Sequence, residues 1–202
     1  MSKFTITPRT RLRRLHKRGA FDHATVHAII DEGYVCHVGA RMADRQMVQP
    51  TIHWRDADTL YIHGSSKNGF FAALERGEEA CVTITHFDGL VLARSAFHHS
   101  VNYRCAMIFG KARKVTDDTE KMAALEGLIE RIAPGRWNEI RQPDAQELKA
   151  TTVLAFVIDE VSAKVRNGPP VDDAEDYALP VWAGVVPFEL RSGAPITDPG
   201  PE

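Results

Sequence analysis

Short strand-like runs, rather than helices, make up most of the middle of this chain. Apolar residues alternate with polar ones, or form brief continuous runs, in residues 34–40, 47–54, 60–63, 80–87, 90–93, 100–115 and 151–165. Helices do not alternate regularly with these runs, as the crossovers of a parallel sheet would require. We therefore predict a mainly β fold, a closed antiparallel β-barrel with peripheral helices.

Four amphipathic segments predict those helices. The first is capped by Asp22 and ends at Gly33. The others cover residues 69–76, 117–132 and 144–150. In the helix 117–132 we expect one apolar stripe to face the core: Met122, Leu125, Ile129 and Ile132.

Charge and length limit the partners and the domain organisation. The formal net charge of −2 favours neither nucleic acid nor an anionic membrane, and no apolar run reaches transmembrane length. A chain of 202 residues is long enough for one domain with arms. We predict a basic N-terminal arm (residues 1–20), a barrel domain (21–190) and a flexible tail rich in Pro and Gly (191–202).

The three cysteines, Cys36, Cys81 and Cys105, predict the compartment. They are odd in number, far apart and placed in apolar runs, which is typical of buried thiols rather than of a disulfide framework. We therefore expect a cytoplasmic protein.

A strand, a polar bend and a helix follow one another in residues 59–71. The apolar run Leu60–Ile62 gives way to two serines and Lys67, and an apolar helix face begins at Phe70. Because unpaired N–H groups at a helix start attract anions, this bend is a candidate phosphate site. The alternative is a serine-capped helix with a solvated lysine.

The sequence contains none of the common motifs for metal sites, hydrolases or dinucleotide-binding enzymes. The nine histidines are scattered, and neither HExxH nor CxxC occurs, so we expect no metal site. The absence of a GxSxG elbow and of a Gly-rich dinucleotide fingerprint argues against an α/β hydrolase and a Rossmann dehydrogenase.

Several segments, taken in order, resemble one family. Residues 61–67 (YIHGSSK), followed by an amphipathic helix, resemble the flavin-phosphate segment of the FMN-binding split barrels, which include pyridoxamine 5′-phosphate oxidase. Residues 100–113, 151–156, 162–164 and 179–187 are similar to the nitroimidazole-resistance reductases and their flavin-binding relatives. The resemblance covers residues 22–190 but lacks the residues with which vitamin B6 oxidases hold the substrate phosphate.

The resemblance implies a six-stranded antiparallel split barrel that forms a homodimer, with FMN or FAD at the subunit interface. Lys67 would hold the flavin phosphate within the segment His63, Gly64, Ser65, Ser66 and Lys67. The flavin ring would lie against a strand formed by Val48, Gln49, Pro50 and Thr51. Tyr103 and Arg104 would contact the cofactor from the other side, and Trp182 would cap the ring or the substrate pocket.

The resemblance also implies an activity. The expected protein is an FMN-dependent oxidoreductase that takes electrons from NAD(P)H and reduces a nitro-aromatic or other small acceptor. His63 would be its catalytic residue, because histidine can deliver a proton near neutral pH. Two alternatives remain open: a flavin-binding carrier or sensor without turnover, and a split barrel that handles haem.

Overall fold

The fold is built mainly from β-strands. The computed structural model describes residues 2–200. Its strands are β1 (Gly19–Ala20), β2 (Val35–Arg41), β3 (Gln46–Asp56), β4 (Thr59–Ser65), β5 (Glu79–Leu92), β6 (Ser100–Lys111), β7 (Arg113–Lys114), β8 (Thr151–Val157), β9 (Glu160–Arg166) and β10 (Gly184–Pro187). Its α-helices are α1 (His23–Glu32), α2 (Gly69–Glu75), α3 (Asp118–Ile132) and α4 (Ala145–Ala150). Among residues 2–200, no helix combines the length and apolar character needed to span a membrane.

The strands form one mostly antiparallel sheet. Their order is β1-β9-β6-β5-β2-β3-β4-β8-β7, and β10 pairs with β5 outside this path. The consecutive pairs β2–β3, β3–β4 and β4–β8 are all antiparallel. The predicted class, a mainly β split barrel with peripheral helices, is confirmed.

The predicted number of six strands is too low, since residues 2–200 contain ten. The run 151–165 is not one strand but two, β8 and β9, with a turn at Ile158 and Asp159. That turn is held by two hydrogen bonds: Ile158 N–H donates to Asp58 O at 2.8 Å, and Glu160 N–H donates to the Asp159 carboxylate at 2.6 Å. By contrast, the two predicted runs 80–87 and 90–93 belong to one continuous strand, β5.

The chain divides into two compact units. The first comprises the residues up to His86 together with Arg104–Val165, and the second comprises Phe87–Tyr103 together with the residues from Arg166 on. In the second unit, β10 pairs with the end of β5, from Gly184 opposite Leu92 to Pro187 opposite Gly89. An ion pair between the half-buried Arg94 and the buried Asp172 (3.0 Å) also lies within this unit.

Alternate residues along the strands form the main core of the first unit. Residues that point to one face of each strand are buried together: Cys36, Val38, Leu60, Ile62, Val82, Ile84, Ala106, Ile108, Leu154 and Phe156. Helices α1 and α2 cover this core with Val26, Ile29, Phe70, Phe71 and Leu74. The hydrophobic effect of this burial stabilises the first unit.

A second apolar cluster lies under α3 and consists of Trp54, Val115, Ala124, Leu128, Val153 and Ala155. The predicted stripe of α3 is only partly buried: Leu125 packs against this cluster and Ile132 is exposed, whereas the fully buried positions are Lys121, Ala124 and Leu128. The Lys121 ammonium donates to Leu148 O at 2.7 Å, which allows the lysine stem to be buried.

Side chains from other elements satisfy the last carbonyls of α1. His53 Nε2 donates to Ile30 O at 2.9 Å, and His86 Nε2 donates to Ile29 O at 2.8 Å. Arg131 donates to Asp31 O at 2.5 Å and also contacts Gly33 O. Since these carbonyls lack intrahelical partners, the two imidazoles and the guanidinium fix the helix end against the sheet.

His53 should make stability depend on pH. Burial lowers the pKa of His53 from 6.5 to about 4. Between these values the unfolded chain binds a proton that the folded chain does not, so the free energy of unfolding should fall as the pH drops from 6.5 to 4. A pKa difference of this size corresponds to about 3 kcal/mol. His53→Gln keeps an amide donor for Ile30 O but does not titrate, so its denaturant-derived stability should vary less over this range. If the free energy of unfolding falls by the same amount in both proteins as the pH drops, the prediction is wrong.

Candidate functional site

The candidate site begins where β4 ends. Ser65 is the last residue of β4, and Asn68 is the N-cap of α2. Between them, Ser66 and Lys67 form an exposed bend. We call residues Ser65–Lys67 the bend.

Hydrogen bonds within the chain determine the shape of the bend. Asn68 Oδ1 accepts from Phe70 N–H (2.9 Å) and Phe71 N–H (3.4 Å), so asparagine, rather than serine, caps α2. Ser65 Oγ accepts from Lys67 N–H (3.2 Å), and Ser66 N–H donates to Ala150 O (2.8 Å). The donors that remain for an anion therefore include the serine hydroxyls and the Lys67 ammonium, but not the N–H groups of Phe70 and Phe71.

Two lysines give the surroundings of the bend a positive charge. Lys149 lines a cavity of about 670 Å³ together with Ser66, Ala145, Gln146 and Ala150. Both Lys67 and Lys149 are exposed, and within residues 2–200 neither has an acidic partner. An anion bound here would not have to displace an existing ion pair.

His63 lies on β4 just before the bend. It is half-buried, and its ring lies 5.8 Å from that of Trp54, between centroids. Burial lowers the pKa of His63, so the imidazole is neutral at neutral pH. Its Nδ1 is buried without a hydrogen-bond partner among the described residues.

Gly64 separates His63 from the bend and permits close packing. A Cβ at this position would lie 3.1 Å from Cζ of Phe71. Because Gly64 has no side chain, the Phe71 ring of α2 packs directly against β4.

The β3 residues predicted to border the flavin lie on both faces of that strand. Gln49 is half-buried, and its Oε1 accepts from Asn68 Nδ2 at 3.4 Å, which brings β3 to the bend. Thr51 is also half-buried. Val48 and Pro50 point to the opposite, exposed face, where Pro50 pairs with His37 of β2.

The remaining predicted residues belong to other elements of the chain. Arg104 forms an ion pair with Glu32 at the end of α1. Tyr103 and Trp182 belong to the second unit, where Tyr103 is half-buried and the exposed Trp182 indole packs against Gly184. Their contacts with a cofactor remain predictions.

Sequence reasoning missed Asn68 and Lys149. Asn68 precedes the predicted helix directly, and asparagine is as good an N-cap as serine, so its residue type and position were a usable signal. For Lys149 there was no signal, because only the pairing of β4 with β8 brings the end of α4 to Ser66.

The comparisons with known proteins agree with this architecture. The family model for pyridoxamine 5′-phosphate oxidase matches residues 22–165. The chain belongs to this family. The match includes β4, the bend and α2 but ends before Trp182. A search among curated proteins found no match.

Two solved structures are similar to this protein over most of the chain. The flavocytochrome Anf3 from Azotobacter vinelandii is 41% identical, with 96% of this chain and 90% of that chain covered and a TM-score of 0.92. The FAD and heme binding protein from Mycobacterium smegmatis is 36% identical, with 90% and 89% covered and a TM-score of 0.87.

A more distant structure shares the fold. A protein assigned to 5-nitroimidazole antibiotic resistance, from Bacteroides thetaiotaomicron, is 22% identical, with 73% of this chain and 86% of that chain covered and a TM-score of 0.63. The predicted resemblance to flavin-binding split barrels, including the nitroimidazole-resistance branch, is therefore confirmed.

The Asn68 cap should be measurable in this pyridoxamine 5′-phosphate oxidase family protein. Asn68→Ala leaves the N–H groups of Phe70 and Phe71 without their acceptor, and it should lower the free energy of urea unfolding by about 1 kcal/mol. Asn68→Asp keeps an acceptor and should stay close to the unchanged protein. Equal stability of Asn68→Ala and the unchanged protein would contradict the assigned cap.

Proposed function

We propose that this protein is a flavin-binding redox protein whose bend holds the flavin phosphates. The observation that carries the proposal is the pair of exposed lysines without an acidic partner among residues 2–200: Lys67, which follows Ser66 in the chain, and Lys149, which lines the same cavity as Ser66. Phosphate oxygens accept from ammonium and hydroxyl groups through strong charge-assisted hydrogen bonds. Two similar proteins described above, a flavocytochrome and an FAD and heme binding protein, support this reading.

Within this proposal we favour FAD over FMN. FMN carries one phosphate, for which Lys67 with Ser65 and Ser66 would suffice. The cavity of about 670 Å³ next to Ser66 offers a second cation, Lys149, and space for a further phosphate and nucleoside. The FAD named for the Mycobacterium smegmatis protein supports the same choice.

His63 and the β3 residues would border the flavin ring. A neutral imidazole with an unused Nδ1 is suited to hydrogen bonding with a cofactor or substrate, and less suited to acting as a strong acid at neutral pH. When bound, the flavin would supply the electron transfer itself. Val48, Gln49, Pro50 and Thr51 would supply backbone and side-chain contacts, and Tyr103, Arg104 and Trp182 further ones.

The remaining parts of the proposal concern the partners. We propose NAD(P)H as the transient electron donor and a small molecule, for example a nitro-aromatic compound, as the acceptor. The exposed fractions of Val35 (50%) and Val48 (65%), on neighbouring strands, leave an apolar sheet face that a second copy of this chain would cover in a homodimer. The three free cysteines fit a reducing compartment such as the cytoplasm.

Haem binding is the second candidate function. Of the two similar proteins, one is a flavocytochrome and the other binds FAD and heme, and histidine is a common axial ligand of haem iron. Two histidines of this chain fit that role. His63 has an unpartnered Nδ1, and His37 lies exposed on the apolar face beside Val35.

Flavin binding is tested first with lysine variants. Lys67→Ala should weaken binding of both FAD and FMN at least tenfold, which is about 1.4 kcal/mol, because one charge-assisted contact is lost. Lys149→Ala should weaken FAD binding but leave FMN binding unchanged. Calorimetric titration of the flavin-free protein measures both, with the exposed Lys17→Ala as the matched control. Unchanged affinities in both variants would remove the bend as the phosphate site.

Visible spectra of the purified protein test the redox role. We expect flavin absorbance that is bleached by NADPH under anaerobic conditions and restored by a nitro-aromatic acceptor. Flavin absorbance without bleaching would support the carrier or sensor alternative, and a protein that takes up no flavin would contradict the proposal.

Haem binding predicts a Soret band that one histidine change abolishes. Loss of the Soret band in His37→Ala would place the iron on the outer sheet face. Loss of the band in His63→Ala would place it at the end of β4. The exposed His16→Ala should keep the band. A protein that shows no Soret band after incubation with haemin would exclude this candidate function.

A further inference from the structure

Two histidines and one aspartate meet at the end of β4 opposite to the bend. His23 and His27 lie one helical turn apart on α1, and Asp58 lies in the turn between β3 and β4. Asp58 Oδ1 is 2.9 Å from His27 Nε2 and 3.4 Å from His23 Nδ1. One ligand atom from each residue lies within 4.8 Å of the other two.

These separations match those of metal ligands. Donor atoms bound roughly 2 Å from a tetrahedral Zn²⁺ ion lie about 3.3 Å apart. Two imidazole nitrogens and a carboxylate oxygen form a donor set that suits Zn²⁺ and its neighbours in the first transition row, whereas Mg²⁺ and Ca²⁺ prefer oxygen alone. Three protein ligands leave a fourth position for water.

Contacts with the rest of the fold support the turn that carries Asp58 and the ring of His23. Asp58 O accepts from Ile158 N–H at 2.8 Å, and Arg55 Nη1 donates to Ala57 O at 2.5 Å, which fixes the turn. The His23 ring stacks on that of Phe4 at 3.8 Å with an interplanar angle of 16°. Such a supported arrangement loses little freedom when an ion binds.

The cluster is also separate from the proposed flavin site. Asp58 precedes β4 and the bend follows it, and seven residues of strand span about 20 Å. None of the residues predicted from the sequence to bind flavin belongs to the cluster.

We propose that His23, His27 and Asp58 bind a divalent transition-metal ion of the Zn²⁺ type. Both histidines are about three-quarters covered, with side-chain exposures of 29% and 22%, and the carboxylate is half exposed at 53%. The ion is therefore reachable from solvent but shielded on the helix side. By joining α1 to the β3–β4 turn, it stabilises the contact of the N-terminal segment, through Phe4 and His23, with the barrel.

Titration with Co²⁺, followed by displacement with Zn²⁺, tests the proposal on the full-length protein. After treatment with a chelator, the protein should bind one equivalent of Co²⁺ with the strong visible absorption of a tetrahedral nitrogen–oxygen site, and Zn²⁺ should abolish that absorption. His27→Ala and Asp58→Asn should weaken Co²⁺ binding at least tenfold. His16→Ala, which removes an exposed histidine outside the cluster, should bind as the unchanged protein does.

Two results would overturn the proposal. One is that the unchanged protein shows no stoichiometric tetrahedral Co²⁺ spectrum, which would leave a hydrogen-bonded His–Asp pair only. The other is that Asp58→Asn, with an unchanged circular dichroism spectrum, binds Co²⁺ as tightly as the unchanged protein. If the variants fail to fold, imidazole NMR signals of the unchanged protein decide: Zn²⁺ should shift those of His23 and His27 but not that of His16.

Discussion

The packing of β4 on both of its faces is the constraint on which the rest of this structure depends. β4 pairs with β3 along one edge and with β8 along the other. Leu60 and Ile62 point into the barrel core, while Tyr61 and His63 point to the side of Trp54 and α3. Because a slip of one residue would drive His63 into the core, the strand has one register.

That single register fixes what lies at the two ends of the strand. At one end the chain leaves β4 through Ser65–Lys67 and enters α2, whose start is set by the Asn68 cap. At the other end the turn before β4 presents Asp58 to α1. Both candidate sites are thus loops placed by a rigid scaffold, which is where binding residues are commonly found.

Local signals made much of the fold predictable. Asp22 does begin α1, with its carboxylate accepting from Thr25 N–H at 2.9 Å. The predicted helix at 144 begins with a capping box between Asp144 and Glu147. Period-two alternation located most of the strands, because it reflects burial on one face of each strand. Features that depend on long-range contacts were not predicted. Lys121 is buried because it donates to a carbonyl of another helix, and the turn at Ile158, which separates β8 from β9, depends on a hydrogen bond to Asp58.

The candidate sites also combine features set by local sequence with features set by long-range contacts. The sequence by itself determined the mainly β class, the strand–bend–helix unit with Lys67, and the i,i+4 spacing of His23 and His27, since each depends on residues close in the chain. Only the tertiary structure decided that Lys149 and Gln49 come to the bend, and that Asp58 meets the two histidines. The physical reason is strand pairing: it joins residues far apart in sequence, and its register follows from the burial of whole strands rather than from any local motif.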